Sequence, residues 1–159
     1  EDAVAATKAA LAEGIVPGGG AAFIHALKFL QEEKGRGTYA IVASPDTAKE
    51  SDAAYAILTE ALEEPIRQIV ANTGREDGAV VANEVSQKSA ANPNCGYDAL
   101  ANQFVSDMFL AGIVDPLKVT RSVLQNAVSV AAIFLTTEAA VAELPKKEDK
   151  APALQHEDY

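Results

Sequence analysis

Residues 116–136 read PLKVTRSVLQNAVSVAAIFLT, and this stretch decides the fold class. Val123, Leu124, Ala127, Val130, Ala131, Ile133 and Phe134 recur at the three- and four-residue spacings of a helix. Pro116 suits the first helical turn, where its missing N–H has no partner to lose. The second half of the stretch is apolar on nearly every side. It therefore predicts the longest helix of the chain and its most buried one, a central core helix.

Working outward, Gly112-Ile113-Val114-Asp115 reads as a loop, and the spacing of Phe104, Val105, Met108 and Phe109 predicts a short helix near 100–111. Asn92-Pro93-Asn94-Cys95-Gly96 is a turn. A helix is predicted over 77–87, with Val80, Val81 and Val85. Another runs to Asn72 through Tyr55, Ile57, Leu58, Leu62, Ile66, Ile69 and Val70, capped by Asp46 or Thr47 with Glu50. Pro65 should kink or break that helix. Phe23, Ile24, Leu27 and Leu30 predict a helix over 21–33, behind a loop at 15–20. The first helix, 1–13, carries Val4, Ala5, Ala9 and Leu11 and ends at Gly14. Residues 139–144 read as a short strand. From Pro145 onward the composition is too charged to bury a core. The class is mainly α.

The 159 residues are 48% hydrophobic and 23% charged, as in an ordinary globular domain. No continuous run of about 18 apolar residues occurs, so no membrane span is expected. A net charge of −10 without a Lys/Arg stripe argues against a nucleic-acid partner. The single cysteine, Cys95, forms no internal disulfide and fits a reducing compartment. The chain opens in a helical pattern at Glu1-Asp2-Ala3, without an initiator Met or a signal peptide, and reads as part of something longer.

The residues alone offer modest chemistry. Gly18-Gly19-Gly20 opens a helix and exposes N–H groups that can hold phosphate, yet no Lys-Ser/Thr follows, and a turn where backbones approach closely is the plainer reading. Asp115 is a helix cap or a ligand-binding carboxylate. Asp2 is a solvated first-turn acid or a catalytic one. His25 and His156 lack the company a metal site needs, and no metal ligand is assigned. His25 reads as a core-edge residue and Cys95 as a buried or turn thiol.

Three stretches together resemble the group I chaperonins. They are EDAVAATKAALAEGIVPGGGAAFIHAL at 1–27, EEPIRQIVANTG at 63–74, and CGYDALANQFVSDMFLAGIVDPLKVTRSVLQNAVSVAAIFLTTEAAVAELP at 95–145. The resemblance covers roughly residues 1–145 in order. It implies the C-terminal half of an equatorial ATP-binding domain at 13–144, the end of an intermediate domain at 1–12, and a disordered tail at 145–159. It implies an ATP-hydrolysing, protein-folding double ring of like subunits in a bacterial cytoplasm or in the matrix or stroma of an organelle. Asp2 matches the acid that orients the attacking water. Gly19, with Gly18 and Gly20, matches the glycine that approaches the nucleotide. Asp98, Ala99 and Leu100 match the adenine contacts, Ile113 an apolar wall of the base pocket, and Asp115 the ribose carboxylate. ATP or ADP is the expected ligand. The phosphate loop and the Mg2+ ligand belong to an N-terminal half not in this chain. So does the apical domain that meets unfolded clients and the co-chaperonin lid. Where the family has Asn, this chain has Asp98, which can accept but not donate a hydrogen bond. Pro17 stands in place of a small residue, and the charged tail lacks Gly-Gly-Met repeats. A ring partner that has lost ATP turnover is the alternative, and an unrelated helical interaction module a further one.

Overall fold

The computed structural model describes residues 1–36, 48–139 and 141–143. The helices are α1 (Asp2–Glu13), α2 (Ala21–Gly35), α3 (Ala48–Asn72), α4 (Gly78–Ser89) and α5 (Leu117–Thr136). Four short strands, β1 (Ile15–Pro17), β2 (Gly96–Asp98), β3 (Gln103–Val105) and β4 (Val114–Pro116), form two antiparallel pairs, β1 with β4 and β2 with β3. The mainly helical class expected from the sequence is observed.

The core lies among α2, α3, α4 and the β2–β3 hairpin. Ile24, Ile66, Val70, Val81, Ala82, Val85 and Tyr97 form one buried cluster, with Ala99 and Phe104 packed against it. Leu62, Ile66 and Val70 line one side of α3 at helical spacing. α3 runs unbroken through Pro65, whose neighbour Ile66 is fully buried. Proline removes one intrahelical hydrogen bond, and packing on both sides of it keeps the helix together. The proposed cap residues Asp46 and Thr47 lie outside the described residues, as does the tail from 144 onward.

Three expectations fail. Residues 100–111 form no helix. The chain makes the β2–β3 hairpin and a turn at 107–112 instead. Side chains draw the backbone amides away from helical bonding there: Asp98 Oδ1 accepts from the Leu100 and Ala101 N–H groups at 2.9 and 3.0 Å, and Asp107 Oδ1 from Leu110 at 3.0 Å. Residues 139 and 141–143 are not in a strand, and Val141 is fully exposed.

The third failure is the largest. α5 is not the longest helix, with 20 residues against 25 in α3, and it buries no residue: Val130 is 53% exposed and Phe134 71%. Among the described helices it packs chiefly on α1, antiparallel to it. Glu13 takes a bidentate ion pair from Arg121 (2.7 and 3.1 Å), and Ala5 shares a groove with Asn126. Periodicity had given the helix correctly, but apolar character does not say whether the covering partner lies in the same stretch of chain. By length and composition alone α5 is long and apolar enough to cross a membrane. Lys118 and Arg121 stand in its first two turns.

The position of the core is testable by urea denaturation. Ile66→Ala should lower the unfolding free energy of the chain by about 2–5 kcal/mol. Val130→Asp should change it by no more than about 0.5 kcal/mol. A Val130→Asp loss as large as that of Ile66→Ala would put the core at α5 after all.

Candidate functional site

The β1–β4 pair and the glycine turn after it gather the candidate residues. Val16 stands opposite Asp115 and Pro17 opposite Val114. The two regions first expected to be loops are therefore one small sheet, and the register puts Asp115 beside the turn that begins at Gly18. Gly18 N–H donates to the Ile113 carbonyl at 3.0 Å, and Ile113 N–H to the Met108 carbonyl at 2.9 Å.

The three glycines differ in what they do. A Cβ on Gly18 would lie 3.0 Å from the Val114 backbone, and one on Gly20 would lie 2.8 Å from the Ile66 nitrogen. Gly20 also has φ 82°, in the left-handed region. These two are needed for close packing of backbones, the plainer of the two readings. Gly19 (φ 64°) has only the Tyr97 carbonyl, at 3.5 Å, and the end of Met108, at 3.8 Å, near its Cβ position. Its N–H faces the Asp115 carboxylate. The turn is thus a poor phosphate cradle by itself. One of its amides is bonded to Ile113 and another already faces a carboxylate.

Asp115 is half-buried in β4. Burial pushes its carboxyl above the usual range, and the Gly19 N–H only partly offsets this. Asp115 is not a helix cap. The N-cap of α5 is Pro116, which therefore precedes the first helical turn and does not sit inside it, and no side chain caps that helix. The cap reading of Asp115 falls, and the carboxylate is left as a candidate ligand group.

The β2–β3 hairpin lies on the other side of Gly19. Asp98 is half-buried, Ala99 packs on the core, and Leu100 is 98% exposed at the tip. Asp98 is first of all a turn residue, because one of its oxygens serves two backbone amides. Gly18, Gly19, Gly20, Ile113 and Asp115 are brought together, with Asp98 and Ala99 nearby through Tyr97. Asp2 is not: it opens the 12-residue α1, which leads into Gly14 and β1. Twelve helical residues rise about 18 Å. A surface hollow of about 480 Å³ lies between α1 and α5 and includes none of these residues.

The remaining candidates are structural. His25 is half-buried, and burial pushes its imidazole down, against the opposing effect of the Cys95 backbone; its Nε2 is buried without a hydrogen-bond partner. Cys95 is buried, and burial pushes its thiol up, which makes it unreactive. His156 lies outside the described residues. Sequence reasoning missed Tyr97 and Asn102, whose side chains bond each other across the hairpin. An Asn in a turn between two aromatics was the available signal.

A family model described as the TCP-1/cpn60 chaperonin family matches residues 1–145. Among solved structures, a group III chaperonin in the open state is 27% identical with a TM-score of 0.67, over 84% of this chain and 25% of that one. An open-state monomer of a group II chaperonin from Methanococcoides burtonii is 21% identical with a TM-score of 0.61, over 77% of this chain and 28% of that one, which is a likeness of fold. The chain thus spans about a quarter of the length of the structures it matches. The sequence reading named group I; these structures belong to groups III and II.

The Asp115 environment predicts a pH dependence. Its folded pKa is raised, so its contribution to stability is present in acid and lost as pH rises through the folded pKa. Asp115→Asn removes the buried charge and keeps an acceptor for Gly19. The variant should unfold at the same or a higher temperature than the parent at pH 7, and any gap should narrow as the pH falls toward the carboxylate range. A variant clearly less stable at pH 7 would mean that the carboxylate makes a structural bond.

Proposed function

The chain belongs to the TCP-1/cpn60 chaperonin family, and we propose that it is the C-terminal part of a subunit whose complete form hydrolyses ATP to drive protein folding. One observation carries this reading: Asp115, half-buried in β4, stands in the strand pair that leads into the Gly18–Gly20 turn, and the Gly19 position borders the Tyr97 carbonyl of the β2–β3 hairpin. A carboxylate so placed accepts hydrogen bonds from ribose hydroxyls, which are stronger for its charge. Ile113 and Ala99 supply apolar surface for a base, with Leu100 projecting from the tip beside them. Asp2, about a helix length away, is in this reading the acid that orients the water attacking the terminal phosphate.

The remaining parts belong outside this chain. In this reading Mg2+ would be held by a carboxylate elsewhere in the subunit. That ion neutralises phosphate charge during transfer. The bare apolar surface of α5 supports the same view. Val123, Val130, Ile133 and Phe134 are exposed at core-like density, and the N-terminal equatorial half of the subunit is the partner we propose for them. We assign the subunit to group I on its Asp-Pro-x-Lys-Val-Thr-Arg stretch at 115–121 and its Thr-Thr-Glu at 136–138. Its partners would be ring neighbours, with a lid and unfolded clients meeting an apical domain. Neither nucleic acid nor membrane is proposed. The compartment is a bacterial cytoplasm or an organelle of bacterial ancestry.

Two measurements test this. In the complete subunit, Asp2→Ala should lower ATP turnover about 100-fold or more, since positioned acid–base groups contribute about 10²–10⁴, while calorimetric ATP affinity stays near that of the parent. Equal loss of binding and turnover would make Asp2 structural, and a parent without turnover would favour the inactive ring partner. The 159-residue chain by itself should release no phosphate from MgATP above background. Clear magnesium-dependent turnover by it would overturn the division of the site between two halves.

A further inference from the structure

The β2–β3 hairpin carries a second lock that the nucleotide reading does not use. The pairing of Asp98 with Gln103 leaves 99–102 as a four-residue connection. Its entry is fixed by the Asp98 carboxylate on the Leu100 and Ala101 amides. Its exit is Asn102, the one non-glycine residue with positive φ (54°) among the described residues. Glycine would adopt that conformation with less strain. What Asn adds is an acceptor: Asn102 Oδ1 takes the hydrogen bond of the Tyr97 hydroxyl.

Tyr97 is a firm support for that bond. It is 4% exposed, and its ring meets Phe104 edge-on at 5.2 Å, while Lys88 Nζ sits 3.8 Å over the Phe104 ring. The carbonyl of Tyr97 is also the nearest atom to the Cβ position of Gly19. One buried side chain therefore fixes the hairpin tip, and its own backbone borders the glycine turn beside Asp115.

We propose that the Tyr97–Asn102 pair is the positioning device of the base-binding tip, holding Ala99 and Leu100 in place before nucleotide arrives and touching no nucleotide atom itself. This rests on the nucleotide reading above. A tip already ordered loses less conformational freedom on binding, so the pair acts on affinity and leaves chemistry alone.

The test compares Tyr97→Phe, Asn102→Gly, the double variant and Asn102→Asp in the complete subunit. Each of the first two should weaken ATP affinity about three- to tenfold, the worth of one hydrogen bond, with turnover at saturation unchanged. The double variant should be no weaker than either single one, because one bond is being removed. Asn102→Asp keeps an acceptor and should stay near the parent. In the nucleotide-free 159-residue chain, Tyr97→Phe should speed hydrogen exchange at the Leu100 and Ala101 amides. Unchanged affinity beside a lowered melting temperature, or additive losses in the double variant, would overturn the proposal. A parent subunit that binds no nucleotide would sink the function above and this inference with it, whereas a nucleotide-binding parent indifferent to the pair sinks the inference alone.

Discussion

Gly20 lies so close to α3 that a methyl group on it would stand 2.8 Å from the Ile66 backbone nitrogen. The rest of the site depends on this contact. It seats the start of α2 directly on the helix that carries Ile66 and Val70, the middle of the core. Gly18, two residues earlier, allows the same approach on Val114. Between them these two contacts join the β1–β4 pair to the packed core through backbone. The joint therefore has none of the rotamer freedom of a side-chain contact. Asp115 inherits a fixed position from it, since its strand partner Val16 is only two residues from Gly18. No side chain larger than hydrogen satisfies both geometries. A glycine triplet can thus be required by packing at its two ends while its middle residue is not.

The two halves of the chain differ in how far they are finished. α2, α3, α4 and the hairpin bury their apolar faces in one another. α1 and α5 pack on each other and on β4, and the Glu13–Arg121 pair joins them, where the guanidinium holds Glu13 below the usual carboxylate range. An exposed pair of that kind stabilises little in water. It fixes where α5 sits against α1 more than it strengthens the fold. A 20-residue helix without one buried residue, carrying Ile133, Phe134 and Leu135 in the open, leaves apolar surface in contact with water. Its composition is that of a core, which is the physical reason for proposing a partner outside this chain.

The sequence was most legible where a residue type allows one conformation or one period. The helices at 2–13, 21–35 and 78–89 appear within two residues of the periodic reading, and Gly14 turns the chain where expected. It was least legible where side chains bond backbone. Phe104, Val105, Met108 and Phe109 fit a helical template well, but Asp98, Asn102 and Asp107 hold the intervening backbone in turns. Such local bonds compete with the helix without altering the apolar pattern. Burial of α5 failed for a different reason. Hydrophobicity measures the tendency to be covered, and the cover need not lie within the same 159 residues. The gathering of Gly19, Ile113 and Asp115 could not be read from periodicity, because three-residue strands have no period to detect; the ordered resemblance supplied it.

Asp98 and Asp115 show how the same functional group can be settled by its fold or left open by it. The Asp98 carboxylate receives two backbone amides and completes its turn without any ligand. An Asn there would serve those amides equally through its own Oδ1. The departure from the family's Asn therefore leaves the hairpin intact and alters only the outward side of the residue, where an N–H donor is exchanged for an acceptor. Asp115 has the opposite balance. Burial raises its pKa, and the Gly19 amide compensates only in part. A carboxylate in that state gains from a hydroxyl donor more than a solvated one does, since the desolvation has already taken place in the free protein. In the reading proposed above, Asp115, which the fold completes less fully than Asp98, is the acid left for a ligand.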